Sequence, residues 1–331
     1  MNSHMLSTEP DQLVKYWISS YKDSNINDYY DAVEAVSPLS SAYVCLKVSH
    51  RYDLDLHAQI DSKGAEKILC SVLHLVHGIG PWWQRKLYKE GISDLSDLSS
   101  HPRFGNKALE LLQIIQAKDA RTLFNIMRHM EKSNAYALGL CLIPLLETSN
   151  FAFIDVETLG LVNEMVIVFG FAIPRRGFIE ITQYVARNAK EELAVIEWAN
   201  AVLSEADIVI SYNGLSADIR WIRHRSALYG FRFSNDNVHL DLLHVARRLF
   251  RDQLPEFSLA SVGSNILGIY IDPNLPDGAA VPYFYRKYLT TKQIGPLVAI
   301  LEHNLNDLIA LCMLAQRCMD HVQQMPQLRS H

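Results

Sequence analysis

The chain has 331 residues, 49% of them apolar and 20% charged, enough for two domains with cores of their own and unlike a disordered or collagen-like chain. No run of eighteen or more uncharged apolar residues occurs, the greasiest stretch, Ala135–Leu146, being broken by Pro144, so no membrane span is expected. The net charge of −5 excludes a globally basic nucleic-acid binder, yet residues 63–132 hold 11 basic against 7 acidic residues and are locally basic.

At the start, Met1–Leu6 lack the basic head and continuous apolar run of a signal peptide, and Met-Asn-Ser-His-Met reads as an expression scar ahead of Met5. The five cysteines form no CxxC pair and are odd in number, as expected of reduced thiols in a cytoplasmic protein. From Asp11 to Val36 the apolar spacing of Leu13, Trp17 and Tyr21 predicts helix. A hairpin is expected next: Val44, Leu46 and Val48 alternate, Ser49-His50-Arg51 would turn, and Tyr52, Leu54, Leu56, Ala58 and Ile60 alternate again. Short amphipathic helices follow over Lys63–Val76, Pro81–Glu90, Lys107–Gln116 and Ala120–Lys132.

After Pro144 the texture changes. Phe151–Ile154, Met165–Ala172 and Phe178–Tyr184 predict strands that can form a meander. Next come a helix (Lys190–Ser204), a buried strand (Ile208–Tyr212), a helix (Ala217–Tyr229), a short strand (Val238–Leu240) and further helices. That order describes an α/β mixed sheet behind a mainly helical N-terminal region, residues 1–148, with the second domain at 149–331.

Asp155-Val-Glu157 ends an apolar strand, and alternation puts both carboxylates on one face. Such a pair is costly unless it binds something. Acid-x-acid alone says little, since Asp53-Leu-Asp55 and Glu205-Ala-Asp207 share the spacing; the first of these reads as the polar edge of the hairpin. The ordered set says more. Asp218 opens a helix five residues after Asn213, and His303 and Asp307 stand at i and i+4 on the long last helix. Four carboxylates with one histidine make an oxygen-rich site that selects Mg²⁺ or Mn²⁺. Two such ions suit in-line attack on a phosphodiester, and His303 could take the proton of the attacking water. A surface ion pair of His303 with Asp307 is the plainer alternative.

These residues resemble a known family. Phe153-Ile-Asp155-Val-Glu157-Thr158-Leu-Gly160, Tyr212-Asn213-Gly214 to Asp218, and His303-Asn304 to Asp307 resemble the DEDD exonucleases of the ribonuclease H-like fold. Asp241-Leu-Leu-His244-Val-Ala-Arg247-Arg248, Leu254-Pro255, Ser258-Leu259 and Leu267-Gly268 bring the likeness closer to the bacterial YprB-like branch; it covers about residues 150–318. The resemblance implies a mixed five-stranded sheet flanked by helices and two divalent ions, Mg²⁺ or Mn²⁺, on Asp155, Glu157, Asp218 and Asp307. It makes His303 the general base, puts Thr158 and Leu159 at the terminal nucleotide and counts Asn213 among the nucleic-acid-binding residues. The implied reaction is hydrolysis of single-stranded DNA or RNA from a 3′ end, with DNA favoured. Two departures stand out: the histidine is four residues before the last aspartate, as in the YprB-like branch, and Ala217 replaces a common phenylalanine before Asp218.

Upstream, Leu75-Val-His-Gly78-Ile79-Gly80, then Leu87 and Gly91-Ile92, is similar to a helix–hairpin–helix element. Its glycines permit a tight turn, amides at the following helix start can hold a phosphate, and Arg85, Lys86 and Lys89 lie near. Tyr283-Phe-Tyr285-Arg286-Lys287-Tyr288 reads either as a base-stacking strip or as core packing of a short helix. Two rival functions come from the same residues: a non-catalytic nucleic-acid-binding protein that keeps the fold, and an enzyme of this fold that cuts internally at junctions or hybrids.

Overall fold

The computed structural model describes residues 9–38, 43–56, 61–130, 132–145, 151–160, 164–233 and 237–324. Helix α1 (Pro10–Ser20) is followed by β1 (Val33–Val36) and β2 (Cys45–Tyr52). Helices α2 (Ser62–Cys70), α3 (Pro81–Lys89), α4 (Leu95–Leu98), α5 (Gly105–Gln116), α6 (Ala120–Met127) and α7 (Lys132–Gly139) come next. The second half comprises β3 (Phe151–Thr158), β4 (Val166–Arg175), β5 (Phe178–Val185), α8 (Glu192–Glu205), β6 (Ile208–Ser211), α9 (Asp218–Leu228) and β7 (Val238–Asp241). It ends with α10 (Leu242–Leu249), α11 (Leu259–Asn265), α12 (Val281–Thr291) and α13 (Gly295–Gln324).

Among the described residues the sheet has seven strands in the order β1-β2-β5-β4-β3-β6-β7. Strands β3, β4 and β5 form an antiparallel meander, and β6 and β7 run parallel to β3. The expected count of five is therefore corrected to seven, because β1 and β2, which precede residue 145, add to the outer edge of β5. The expected hairpin turn at Ser49-His50-Arg51 is also corrected: β2 runs straight through it, paired with β5 from Leu46↔Val185 to Tyr52↔Ile179. None of those three residues is a glycine, proline or asparagine that would force a turn, and β5 offers β2 a continuous row of backbone partners. Residues 53–56 leave the sheet, and Ala58 and Ile60 of the expected second strand lie outside the described residues. The helix expected over Asp11–Val36 stops at Ser20, and its tail becomes β1. There β-branched Val33 and Val36 meet β2 rather than a helix neighbour.

Two cores clamp the sheet. The larger joins the helical segment, through residues such as Leu69, Leu98 and Leu123, to Phe151, Phe153 and Ile210 of the strands and Leu311 of α13. The second packs Trp17, Val168, Val195 and the first turns of α13 together. Phe284 and Tyr285 are fully buried here, and the Tyr285 hydroxyl donates to the Ala186 carbonyl at 2.7 Å. That aromatic run packs as core. Gly295–Asp320 of α13 is long and apolar enough to cross a membrane, with mean hydropathy 1.5, and 61% of it is buried inside the protein. Its apolar surface is spent on the sheet, and this places His303, Asn304 and Asp307 over β3 and β4.

Candidate active site

Asp155 and Glu157 lie two residues apart at the C-terminal end of β3, where pairing with β4 slips at a bulge between Glu157 and Thr158. Bulges re-aim side chains at such places. Asp218 opens α9 and is buried. Gly214 makes its approach possible: a Cβ there would meet Ser211 Oγ at 2.2 Å and Asp218 Oδ2 at 2.7 Å. Asn213 holds the left-handed backbone at φ 63° that starts this loop, its amide donating to Asp241 Oδ1 at 2.8 Å. From α13, His303 Nε2 stands 3.5 Å from Glu157 Oε1 and 3.7 Å from Asp307 Oδ2. The structure thus brings the four carboxylates and the histidine expected from sequence close enough to act on one another electrostatically.

Electrostatics mark it. Burial first, then the neighbouring Asp307 charge, pushes the Asp155 carboxyl up to about 7. Burial pushes Asp307 up to about 7 as well. Glu157 and Asp218 are raised well above the usual carboxylate range by burial and by the other acids. Burial lowers His303 despite the opposing pull of Asp155 and Asp277, which leaves the imidazole neutral at neutral pH. Its 3.5 and 3.7 Å contacts are proximities, longer than hydrogen bonds. Among the described residues no three His, Cys, Asp or Glu side chains converge tightly enough to hold an ion as they stand. The donor chemistry nonetheless fits hard divalent cations: four crowded carboxyl groups whose protons are held first by burial and then by the neighbouring acids, a cost that a cation offsets.

Sequence reasoning quoted Asn304 only as part of a motif and missed Gly170 and Gln183. Cross-strand register puts Asp155, Gly170 and Gln183 in one row. The missing side chain at Gly170 admits the fully buried Asn304 amide from α13. Asn304 Nδ2 donates to Asp155 Oδ2 at 2.7 Å, and its Oδ1 accepts from Gln183 Nε2 at 2.8 Å. Gln183 Nε2 also donates to the Leu301 carbonyl, so its Oε1 faces His50 Nε2 at 3.1 Å. That direction makes Nε2 the protonated nitrogen of His50. The chain of amides fixes the Asp155 carboxylate from behind and reaches to β2 of the N-terminal segment.

Replacing Gly170 with alanine tests this support, because its Cβ would lie 2.2 Å from Asn304 Oδ1 and 2.9 Å from Leu308 Cδ1. The expected result is a loss of about 1–3 kcal/mol, typical of overpacking, read by urea unfolding. Unchanged stability would mean that α13 can shift without strain.

A cleft of about 550 Å³ opens beside His303 and Asp307 and is walled by the segment from Ile269 to Gly278. Tyr270 is largely exposed on it. Thr158 turns its hydroxyl to the Gly160 carbonyl at 2.7 Å, and the Leu159 amide donates to Met165.

The upstream glycines lie apart from the carboxylates. Gly78 takes φ 96°, Ile79 is buried, and Gly80 caps α3. Because Pro81 lacks an N–H, the amides of Trp82 and Trp83 begin the helix. Lys86 lies 5.7 and 4.9 Å from the rings of Trp82 and Trp83 and 3.8 Å from Glu90 Oε1.

Residues 152–319 match the RNase_H superfamily. A curated relative, the uncharacterized protein YprB of Bacillus subtilis (strain 168), is 29% identical over 173 residues, covering 50% of this chain; the chain spans 41% of that relative's length. The family B DNA polymerase of the hyperthermophilic archaeon Pyrobaculum calidifontis aligns with 53% of this chain and 27% of its own, at 14% identity and a TM-score of 0.39.

Proposed function

Because the chain belongs to the RNase_H superfamily, we propose that it is a metal-dependent 3′–5′ exonuclease acting on single-stranded nucleic acid, DNA in preference to RNA. The observation that carries this reading is the gathering of Asp155, Glu157, Asp218 and Asp307 around a neutral, largely buried His303. Two Mg²⁺ or Mn²⁺ ions would supply Lewis-acid activation of water and relief of charge on the leaving oxygen.

The chain's own residues do the rest. The four carboxylates would hold the ions, and Asn304 fixes the Asp155 carboxylate through its hydrogen bond. His303 takes a proton at Nε2, which neutrality at working pH leaves open. Thr158, Leu159 and Asn213 border the place of the terminal nucleotide, with the cleft beside His303 and Asp307 as its bed. Gly78, Ile79, Gly80 and Lys86 form a second contact that holds phosphate without reading sequence. The four buried thiols and half-buried Cys70 suit a reducing cytoplasm.

The test is hydrolysis of end-labelled single strands, duplexes and hybrids in Mn²⁺ and in EDTA. Mononucleotides released first from the 3′ end, only with metal, are expected. Internal cuts identify the endonuclease rival, and binding without cleavage identifies the non-catalytic one.

A further inference from the structure

We infer that a track for the sugar-phosphate backbone of a single strand runs from the Gly78-Ile79-Gly80 turn, along α6, to the loop that carries Asp218. It rests on the nuclease reading above and names the surface that holds the strand away from the cut. Two clefts of about 620 Å³ each make up the track. The first opens beside the turn and is lined by His77, Gly78, Lys107 and His129 among others. The second is lined by Arg121, Asn125 and Arg128 on one side and by Leu215 and His239 on the other. Met130 lines both, so the clefts meet at the end of α6. Leu215 belongs to the loop between Asn213 and Asp218, so the second cleft ends at the loop that leads to Asp218.

The chemistry of the lining selects a polyanion. Arg121, Asn125 and Arg128 stand at i, i+4 and i+7 and share one exposed face of α6 and its last turn. Among the described residues neither arginine forms an ion pair within 4 Å. Among the described residues no Asp or Glu lines the second cleft, and Glu110 is the acid in the first. The second cleft thus presents two arginines and no carboxylate in its lining, in a chain of net charge −5. Such a surface is needed because four carboxylates repel an incoming phosphate chain until cations neutralise them; guanidinium groups placed upstream offset that repulsion and raise the local strand concentration. Beneath the cationic face, Phe124 and Tyr136 are buried and stacked, their centroids 6.1 Å apart, and they keep the floor rigid and apolar.

The experiment measures binding of a fluorescent single-stranded DNA to the full chain in EDTA, where no cleavage occurs, as a function of salt. Wild type is compared with the double variants R121Q/R128Q and R121K/R128K, whose folding is checked by thermal unfolding. At about 0.7 per phosphate contact on a single strand, the slope of log affinity against log salt should fall by about 1.4 in R121Q/R128Q. The lysine variant should keep most of the wild-type slope. In Mn²⁺ the glutamine variant should raise KM on a long strand and leave kcat unchanged. A folded R121Q/R128Q with the wild-type slope, or a lysine variant as weak as the glutamine one, overturns the track while leaving the nuclease reading intact. An arginine-dependent slope in a protein that cuts nothing supports the track and removes the exonuclease reading.

Discussion

Replacing Asp155 by alanine is expected to abolish hydrolysis while the metal-free protein becomes more stable at neutral and alkaline pH. Losing an outer partner of a metal ligand costs about 10–100-fold, and losing the ligand itself exceeds that. Stability moves the other way because the Asp155 carboxyl, near 3.8 in the unfolded chain, is held up to about 7 in the folded one. Between about pH 4 and about pH 7 the unfolded chain binds fewer protons than the folded one, so wild-type stability falls as pH rises through that window. Alanine removes this loss. Thermal unfolding in EDTA should therefore show the variant gaining on wild type from pH 5 to pH 8. Mn²⁺ should raise the wild-type Tm by linkage and the variant's much less. Full hydrolysis by folded D155A would remove Asp155 from the site.

The acid set was legible in the sequence because carboxylates at the end of an apolar strand and on one face of a helix break the hydrophobic pattern around them. Their support was not. Gly170 reads as a gap in a strand, and Gln183 as one polar residue among apolar ones. Their meaning comes from register, which places both in the row of Asp155 and leaves a hole for Asn304. Non-local pairing of that kind leaves no local trace. The same limit explains β2, whose alternation at Leu46 and Val48 is local but whose continuation through Arg51 depends on an edge far away in sequence, as the contact of His50 with Gln183 makes plain. The meander and the later βα units were legible because strand and helix periods are local properties.

His303→Ala is expected to lower turnover by roughly 10²–10⁴-fold, the range for loss of a general base, with metal affinity largely kept by the four carboxylates. The imidazole stands near both Glu157 and Asp307, so a supporting role has to be separated from proton transfer, and pH does so. Burial lowers the His303 pKa, so the base stays unprotonated at neutral pH and is lost only as the medium becomes more acid than its ordinary value of 6.5. The carboxylates also take up protons toward low pH and weaken metal binding, but that acid limb belongs to both proteins and retreats when Mn²⁺ is raised. Loss of the base does not. In saturating Mn²⁺, wild-type kcat should still fall on the acid side, whereas H303A should be low and flat over the same range. If excess Mn²⁺ instead restores H303A to wild-type turnover, the histidine serves to hold Glu157 and Asp307 in place for the cations, and another group must accept the proton.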